Sequence, residues 1–319
     1  MIVDDATWNL GMDIIFDVKN LRITNPQAPD TPMLVVGSIA AKLSLLDLLR
    51  PNNFRAEYLV LADVDANLQT IQALEILQRQ SIEAYELLGI LGVVTVTKSA
   101  VISNMHIAIT DKSQQDHHLE IVTLSHGVTH EDQTTLFVQG RYDGHPLKIQ
   151  GVAARNGRGI LGMGALELDA TLEDMHAHIV GDLTNREEGA SVTITAPHLR
   201  TLAHMVDLPT PAASLGPLMA QAKLVGHDRQ HVSVSGFRME IGNEEGILGF
   251  IGEAEWLRGN LEFSGDVSVQ IADLQQFTAN QAGFVQTPLR LQTSLNGTWP
   301  GEVVANPFGM TLGDHDLAG

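Results

Sequence analysis

The sequence predicts a mainly β protein: a long, curled antiparallel sheet, a half-pipe or β-groove, built from repeated strand-helix-strand units with a few short helices. Three observations carry that expectation. Apolar and polar residues alternate over long stretches, as where Leu166, Leu168, Ala170 and Leu172 interleave with Glu167, Asp169, Thr171 and Glu173, which gives a strand with one apolar and one wet face. From Gly92 to Leu183 no strand pattern alternates with a helical pattern of 10–15 residues, so a doubly wound parallel sheet is disfavoured. The C-terminal part also repeats itself.

In that repeat, Ser191-Val-Thr-Ile-Thr-Ala-Pro-His-Leu199 is answered by Asp266-Val-Ser-Val-Gln-Ile-Ala-Asp-Leu274, and a short helical piece follows each, over 199–206 and 274–280. Pro217-Leu-Met-Ala-Gln-Ala-Lys-Leu-Val-Gly226 then matches Pro288-Leu-Arg-Leu-Gln-Thr-Ser-Leu-Asn-Gly297, and Phe237-Arg-Met-Glu-Ile-Gly242 matches Phe308-Gly-Met-Thr-Leu-Gly313. A period of roughly 70–75 residues argues for units added along an axis, each burying its apolar face against the next.

From the N-terminus, Ile14, Phe16 and Val18 alternate with Asp13, Asp17 and Lys19, and Leu21 and Ile23 follow after a phase shift at Asn20, which predicts a strand with a bulge. Asn25 to Asp30 is expected to be a loop. Leu34, Val36 and Ile39 mark a strand, Leu43 to Leu49 a short helix or strand end, and Pro51-Asn-Asn53 a stop. Phe54 to Val64 is a further strand. Ile71, Leu74, Leu77, Ile82, Tyr85 and Leu88 fall at helical spacing and predict one long helix over 70–88. A β-meander follows, with strands over 94–97, 105–110, 119–124, 135–141, 147–152, 166–172 and 175–183, joined by tight turns such as Tyr142-Asp-Gly-His-Pro146. The expected organisation is 1–90, strands plus helix; 91–189, meander; and 190–319, two β-rich repeats over about 190–250 and 266–319. So many strands exceed the ~10 that an open twisted sheet holds without curling or splitting. Two solutions remain open: closed sandwiches with an ordinary core, or one long sheet whose concave face is apolar.

Composition narrows the function. Lys plus Arg is 19 against 38 Asp plus Glu, a net charge of -19, which repels a phosphate backbone and argues against nucleic acid. No cysteine is present, so disulfides, thiolate metal sites and cysteine nucleophiles are absent. No signal peptide or transmembrane segment is read in this sequence: Met1-Ile-Val-Asp-Asp is acidic, and the longest apolar run, Leu87 to Val94, is far short of the ~20 residues of a span.

Several motifs are weighed and set aside. Gly157-Arg-Gly-Ile-Leu-Gly162 matches a dinucleotide fingerprint in letters, but Gly164 to Leu172 is patterned as a strand where that site needs a helix N-terminus. His117, His118, His126 and His130 are the densest of thirteen histidines; without ligand spacing they are expected to be exposed polar residues. Asp63-Val-Asp-Ala-Asn67 opens like a calcium loop but has Leu68 at the sixth position and Leu74 at the twelfth. Trp8, Trp256 and Trp299 are isolated and are expected to pack. No nucleophile-elbow, Walker or kinase motif occurs, so no catalytic residues, metal or cofactor are assigned and the expectation is not an enzyme.

The N-terminal stretch adds a resemblance. Phe16-Asp-Val-Lys-Asn-Leu-Arg-Ile-Thr-Asn-Pro26, Pro32 through the Leu-rich segment to Arg50, and Ala56-Glu-Tyr-Leu-Val-Leu61 resemble the AsmA family of bacterial envelope proteins. Gly140-Arg-Tyr-Asp-Gly-His-Pro-Leu-Lys-Ile-Gln-Gly151 looks like the family's hairpin, and Leu199 to Gly226 is similar to its Leu-rich segment with a return strand. The family's polar connector after Leu61 and its N-terminal anchor are missing, and the helix through Leu88 looks like an insertion. The resemblance implies an inner-membrane-associated periplasmic protein, anchored by a segment not present in this sequence, related to bridge-like lipid-transfer proteins and acting in phospholipid transport and outer-membrane biogenesis. Its implied partners are phospholipid or another acyl lipid, and envelope proteins. An apolar trough suits that role: exposing an acyl chain of ~16 carbons to water costs on the order of 13 kcal/mol at ~0.8 kcal/mol per CH2. Leu166, Leu168, Val192, Ile194, Val267, Val269, Ile271, Leu289 and Leu291 are the candidates for its wall. The alternatives are a β-rich interaction scaffold that assists membrane-protein assembly and, third, a hydrolase.

Overall fold

A computed structural model describes residues 2–10, 13–25, 28–44, 56–69, 97–110, 116–129, 133–155, 163–183, 185, 187–199, 216–228, 231–243, 246–257, 260–272, 287–299 and 302–318. Among these residues the chain is strand and turn, without a helix. No helix in them is long and apolar enough to cross a membrane. The expected helices over 70–88, 199–206 and 274–280 fall on or run into residues outside that set. So do the fingerprint glycines 157–162, His130, and the second half of the Leu43–Leu49 segment.

The chain divides into two compact units, Met1–Arg155 and Asn156–Gly319. The first holds β1 (Asp5–Leu10), β2 (Asp13–Asn25), β3 (Ala28–Ser44), β4 (Ala56–Gln69), β5 (Ser99–Thr110), β6 (Asp116–Val128), β7 (Gln133–Tyr142) and β8 (His145–Arg155). Each strand pairs with the next, so sequence order is spatial order. The expected loop over 25–30 is shorter than predicted, since β3 begins at Ala28. The all-antiparallel expectation also needs one correction: β4 and β5 run parallel, Leu61 beside Ile102 and Val64 opposite Met105. Residues 70–98 connect them, and parallel neighbours require a long crossover.

One face of this sheet carries an apolar core. Its buried residues Val36, Val64, Ile102, Met105, Ile121, Leu124 and Val138 form one contiguous cluster, with Leu21, Ile39, Leu61 and Ile149 packed against it. Simple alternation would not keep them together. Val18 and Leu21, Val36 and Ile39, Leu61 and Val64, Ile102 and Met105, and Ile121 and Leu124 lie three residues apart on their strands, where a flat strand would place the second on the opposite side. The backbone absorbs the extra residue. Asn20, Asp63 and Asn104 sit in the left-handed region at φ 51, 55 and 51°. The registers place Asn20 opposite Gly37, Gly37 opposite Asp63, Asp63 beside Asn104 and Asn104 opposite Val122. Asn and Asp tolerate this conformation better than other residues with a side chain. Asn104 Nδ2 also donates to Asp63 Oδ1 at 3.1 Å, tying two of the kinks together.

The line of kinks therefore crosses five strands and ends at β7. There Ile121 pairs with Gly140 and Thr123 with Gln139, so Val122 is an ordinary bulge with one residue too many. Gly140 sits against that bulge, where a Cβ would collide with the Glu120 carbonyl oxygen and the Ile121 Cα. Beyond it, Tyr142-Asp-Gly-His145 makes the tight hairpin that the sequence predicts, with Asp143 and Gly144 at φ 48 and 82°. Burial pushes the Asp143 carboxyl up. His117 Nδ1 at 2.8 Å and the His118 backbone N–H at 2.6 Å outweigh it and hold the group below its ordinary value.

The second unit holds β9 (Met163–Leu172), β10 (Met175–Asp182), β11 (Ala190–Ala196), β12 (Leu218–Asp228), β13 (His231–Asn243), β14 (Gly246–Leu257), β15 (Asn260–Ile271), β16 (Leu289–Trp299), β17 (Val303–Leu312) and β18 (His315–Ala318). All nine neighbouring pairs are antiparallel. The pairings of the two sequence copies correspond: Ile194 faces Ala220 as Val269 faces Leu291, and Leu218 faces Ile241 as Leu289 faces Leu312. Pro217 O accepts from Gly242 N at 2.9 Å, and Pro288 O from Gly313 N at the same distance.

Two predictions test this architecture. Gly140→Ala is expected to cost about 3 kcal/mol in denaturant unfolding, because backbone must move, whereas Gly127→Ala, whose Cβ would meet only Thr135 Oγ1 at 3.5 Å, is expected to stay within about 1 kcal/mol. Equal costs would contradict the close approach at the bulge. The depressed Asp143 carboxyl contributes stability that is present above the ordinary carboxylate range and is lost as pH falls through its lower folded value. Asp143→Asn keeps a residue suited to positive φ, so it is expected to be less stable than the parent at pH 6 and to approach it on acidification toward pH 2, measured by urea unfolding across that range.

Candidate functional site

The feature of the second unit that simple β physics does not require is an apolar face running through every strand. Across one row, Ala196 faces Leu218, Leu218 faces Ile241 and Ile241 faces Leu248; Leu248 then faces Val269, Val269 faces Leu291, Leu291 faces Met310, and Met310 faces Leu317. Next to it, Ala177 faces Ile194, Ile194 faces Ala220, Ala220 faces Met239, Met239 faces Phe250, and Phe250 faces Val267. Directly opposed residues share a face, so both rows lie on one side of the sheet. Neither row contains an ionisable side chain.

All nine residues expected from sequence fall on this face. Leu168 and Val192 flank Ile179, Leu166 faces Gly181, and Ile271 faces Leu289 beside the Val269–Leu291 pair. Leu166 is 6% exposed. The other eight are half-buried, which is more water contact than a closed core allows. Sequence reasoning did not place Met239, Ile241, Leu248 and Phe250 on the wall: the first two lie in the matched Phe237–Gly242 segment, and around the other two the alternation is broken by glycines in Gly246-Ile-Leu-Gly-Phe-Ile-Gly252.

Those glycines are where the strands come closest. Gly252 pairs with Gly265, and a Cβ on either would strike the Phe250 ring, at 2.9 and 2.6 Å. Phe250 therefore lies over bare backbone and fills the gap two missing side chains leave, with the Phe237 ring 5.5 Å from it in a tilted arrangement. Beside this point the strands carry bulges: Ser235-Gly236 against Glu253, and Asn306-Pro307 against Ser294. Bulges and glycine pairs bend a strand without turning its apolar residues outward.

The reverse face is mixed, with exposed Val180, Met219, Ile247 and Ile251 among polar and charged side chains. Arg238 and Glu240 bond across one strand edge, Ser294 Oγ donates to Asp266 Oδ1 at 2.6 Å, and His178 contacts Asp169 at 2.8 Å. Toward the other end of the strands a cavity of about 730 Å³ is lined by Glu253, Glu255, Glu262 and Glu302 among serines and Asn296. His231 Nε2 holds Glu255 at 2.5 Å and stacks on His227 at 4.3 Å. Among the described residues no group of three or more His, Asp or Glu is placed to hold a metal ion.

Two expectations are corrected here. His126 is not an exposed polar histidine: it is 3% exposed on the apolar face of the first unit, opposite Ala100 and Leu136, with Nε2 3.1 Å from the Thr97 carbonyl oxygen. A backbone acceptor 29 positions away receives Nε2, and no local pattern announces that. Trp256 is not a packing residue, being 45% exposed near the end of β14. The chain has no match among protein-family models, curated proteins or solved structures.

Proposed function

We propose that the chain handles lipid without catalysing a reaction, its second unit holding acyl chains against the apolar face of β9–β18. The observation that carries this is the pair of apolar rows without an acid or base across successive strands, buried at Ala196, Leu218 and Ala220 and, from Met239 and Ile241 onward, half-buried or exposed. Aliphatic surface of that kind offers an acyl chain what it loses on leaving a bilayer, about 0.8 kcal/mol per CH2. Strand-helix-strand units added along an axis would lengthen such a trough, and the resemblance to AsmA-type envelope proteins supplies its setting: the periplasm, in association with the inner membrane through a segment outside this sequence. On this reading the ligand is phospholipid or another acyl lipid, the process is phospholipid transport in outer-membrane biogenesis, and envelope proteins are the partners.

Detergent-free purification followed by lipid mass spectrometry is expected to find co-purifying phospholipid, and fluorescent phospholipid is expected to be taken up. Ile194→Asp combined with Val269→Asp is expected to abolish both while the far-UV circular dichroism and cooperative unfolding persist, since a partly wet position accommodates a carboxylate. Unfolding of the double variant would show these positions to be core and sink their assignment. Absence of lipid from the parent protein would sink the function.

A further inference from the structure

Two histidines stand one residue apart on β10. In Met175-His-Ala-His-Ile179, Ala177 and Ile179 belong to the apolar face, so His176 and His178 lie together on the other side of the sheet. Their neighbours there are Thr171 and Asp169 on β9, and Thr195 and Thr193 on β11. His176 is exposed, and the His178 side chain keeps 44% of its surface in water. Asp169 Oδ1 lies 2.8 Å from His178 Nδ1. Strands β9, β10 and β11 contain no lysine or arginine, while Glu167 shares the face of Asp169, opposite Val180. Lys223 on β12, opposite Ser191, is turned toward the Glu187 carbonyl oxygen. The local field is negative, and no side-chain cation on these three strands neutralises it.

We propose that His176 and His178 bind one divalent cation of the zinc, copper or nickel class through their Nε2 atoms, with water completing its coordination. Side chains two residues apart on a strand stand side by side, and two imidazoles at that spacing can converge on one ion at ~2.0–2.1 Å from each nitrogen. Imidazole selects this class over calcium and magnesium, which take oxygen ligands. Asp169 acts as a positioning residue. By accepting from Nδ1–H of His178 it fixes the tautomer whose free lone pair is on Nε2, and it makes that nitrogen a stronger donor to a metal. Two protein ligands suffice for this site, which agrees with the lack of a three-residue group among the described residues. The other close pair, His227 and His231, has its rings stacked at 4.3 Å and both Nε2 atoms engaged, by Ser233 Oγ and by Glu255.

The test titrates the full chain at pH 7.5 with Zn(II) against a chromophoric zinc indicator, and records the electron paramagnetic resonance spectrum of bound Cu(II). A tightest site of one Zn(II) per chain is expected, with two nitrogens on the copper. His176→Gln and His178→Gln are each expected to weaken that site at least tenfold and to remove one nitrogen. Asp169→Ala is expected to weaken it about tenfold while both nitrogens remain, an effect that a merely structural carboxylate would not have. The double variant His227→Gln with His231→Gln is expected to bind within threefold of the parent. These residues are exposed or half-buried, and far-UV circular dichroism and cooperative unfolding are expected to be unchanged in each variant. No zinc binding by the parent, binding that survives loss of His176 or His178, binding lost with His227 and His231 instead, or indifference to Asp169→Ala overturns the proposal.

Discussion

In both units the strands bend while the residues of the main apolar rows stay on the same face, and the kinked backbone positions reconcile the two demands. In the first unit a three-residue step repeats across five neighbouring strands, from Val18–Leu21 to Ile121–Leu124, so the apolar rows on either side of it meet instead of facing away from each other. A kink on one strand alone would shift every later residue to the wrong side. Placed opposite one another, Asn20, Gly37, Asp63, Asn104 and Val122 cancel, and the pairing registers continue through them. The line closes at β7, where the surplus residue becomes a bulge against Gly140 and the normal two-residue alternation resumes.

The second unit solves the same problem with different residues. Paired bulges on β13 and β17 stand at corresponding places in the two copies, and between them the Gly252–Gly265 pair lets two backbones approach under the Phe250 ring. The result is two apolar rows without titratable groups, backed by a reverse face on which carboxylates, histidines and serines bond to one another beside exposed Met219, Ile247 and Ile251.

Much of this was legible from the order of residues. Alternation located most of the strands, Leu166 and Leu168 among them, the phase shift at Asn20 announced its kink, and the matched copies pointed to the other seven wall residues. At Asp63 no phase shift is read: Asp63-Val-Asp-Ala-Asn67 is set aside as a calcium loop, and Asp63 is a left-handed residue inside a strand. The three-residue step from Ile102 to Met105 and from Ile121 to Leu124 becomes meaningful only once the strands are set side by side. The parallel junction of β4 and β5 depends on the route of residues 70–98, which no local pattern fixes. The burial of His126 depends on the Thr97 carbonyl brought to it by tertiary structure. Glycines hid the strand pattern of β14, although they are what allows β14 to lie where it does.

The account rests on the openness of the apolar face in the second unit. Trp256 reports on it directly, because β14 and β15 pair without a break from Phe250–Val267 to Trp256–Leu261, which puts the indole on the same side as the two apolar rows. With Trp8→Phe and Trp299→Phe leaving Trp256 as the single tryptophan, the deciding measurement is its emission, excited selectively over tyrosine, in complex with phospholipid brominated along the acyl chain. Acyl chains lying on this face predict strong quenching by the brominated lipid and none by its unbrominated counterpart. Emission that is the same with both lipids, while lipid remains bound, would contradict it.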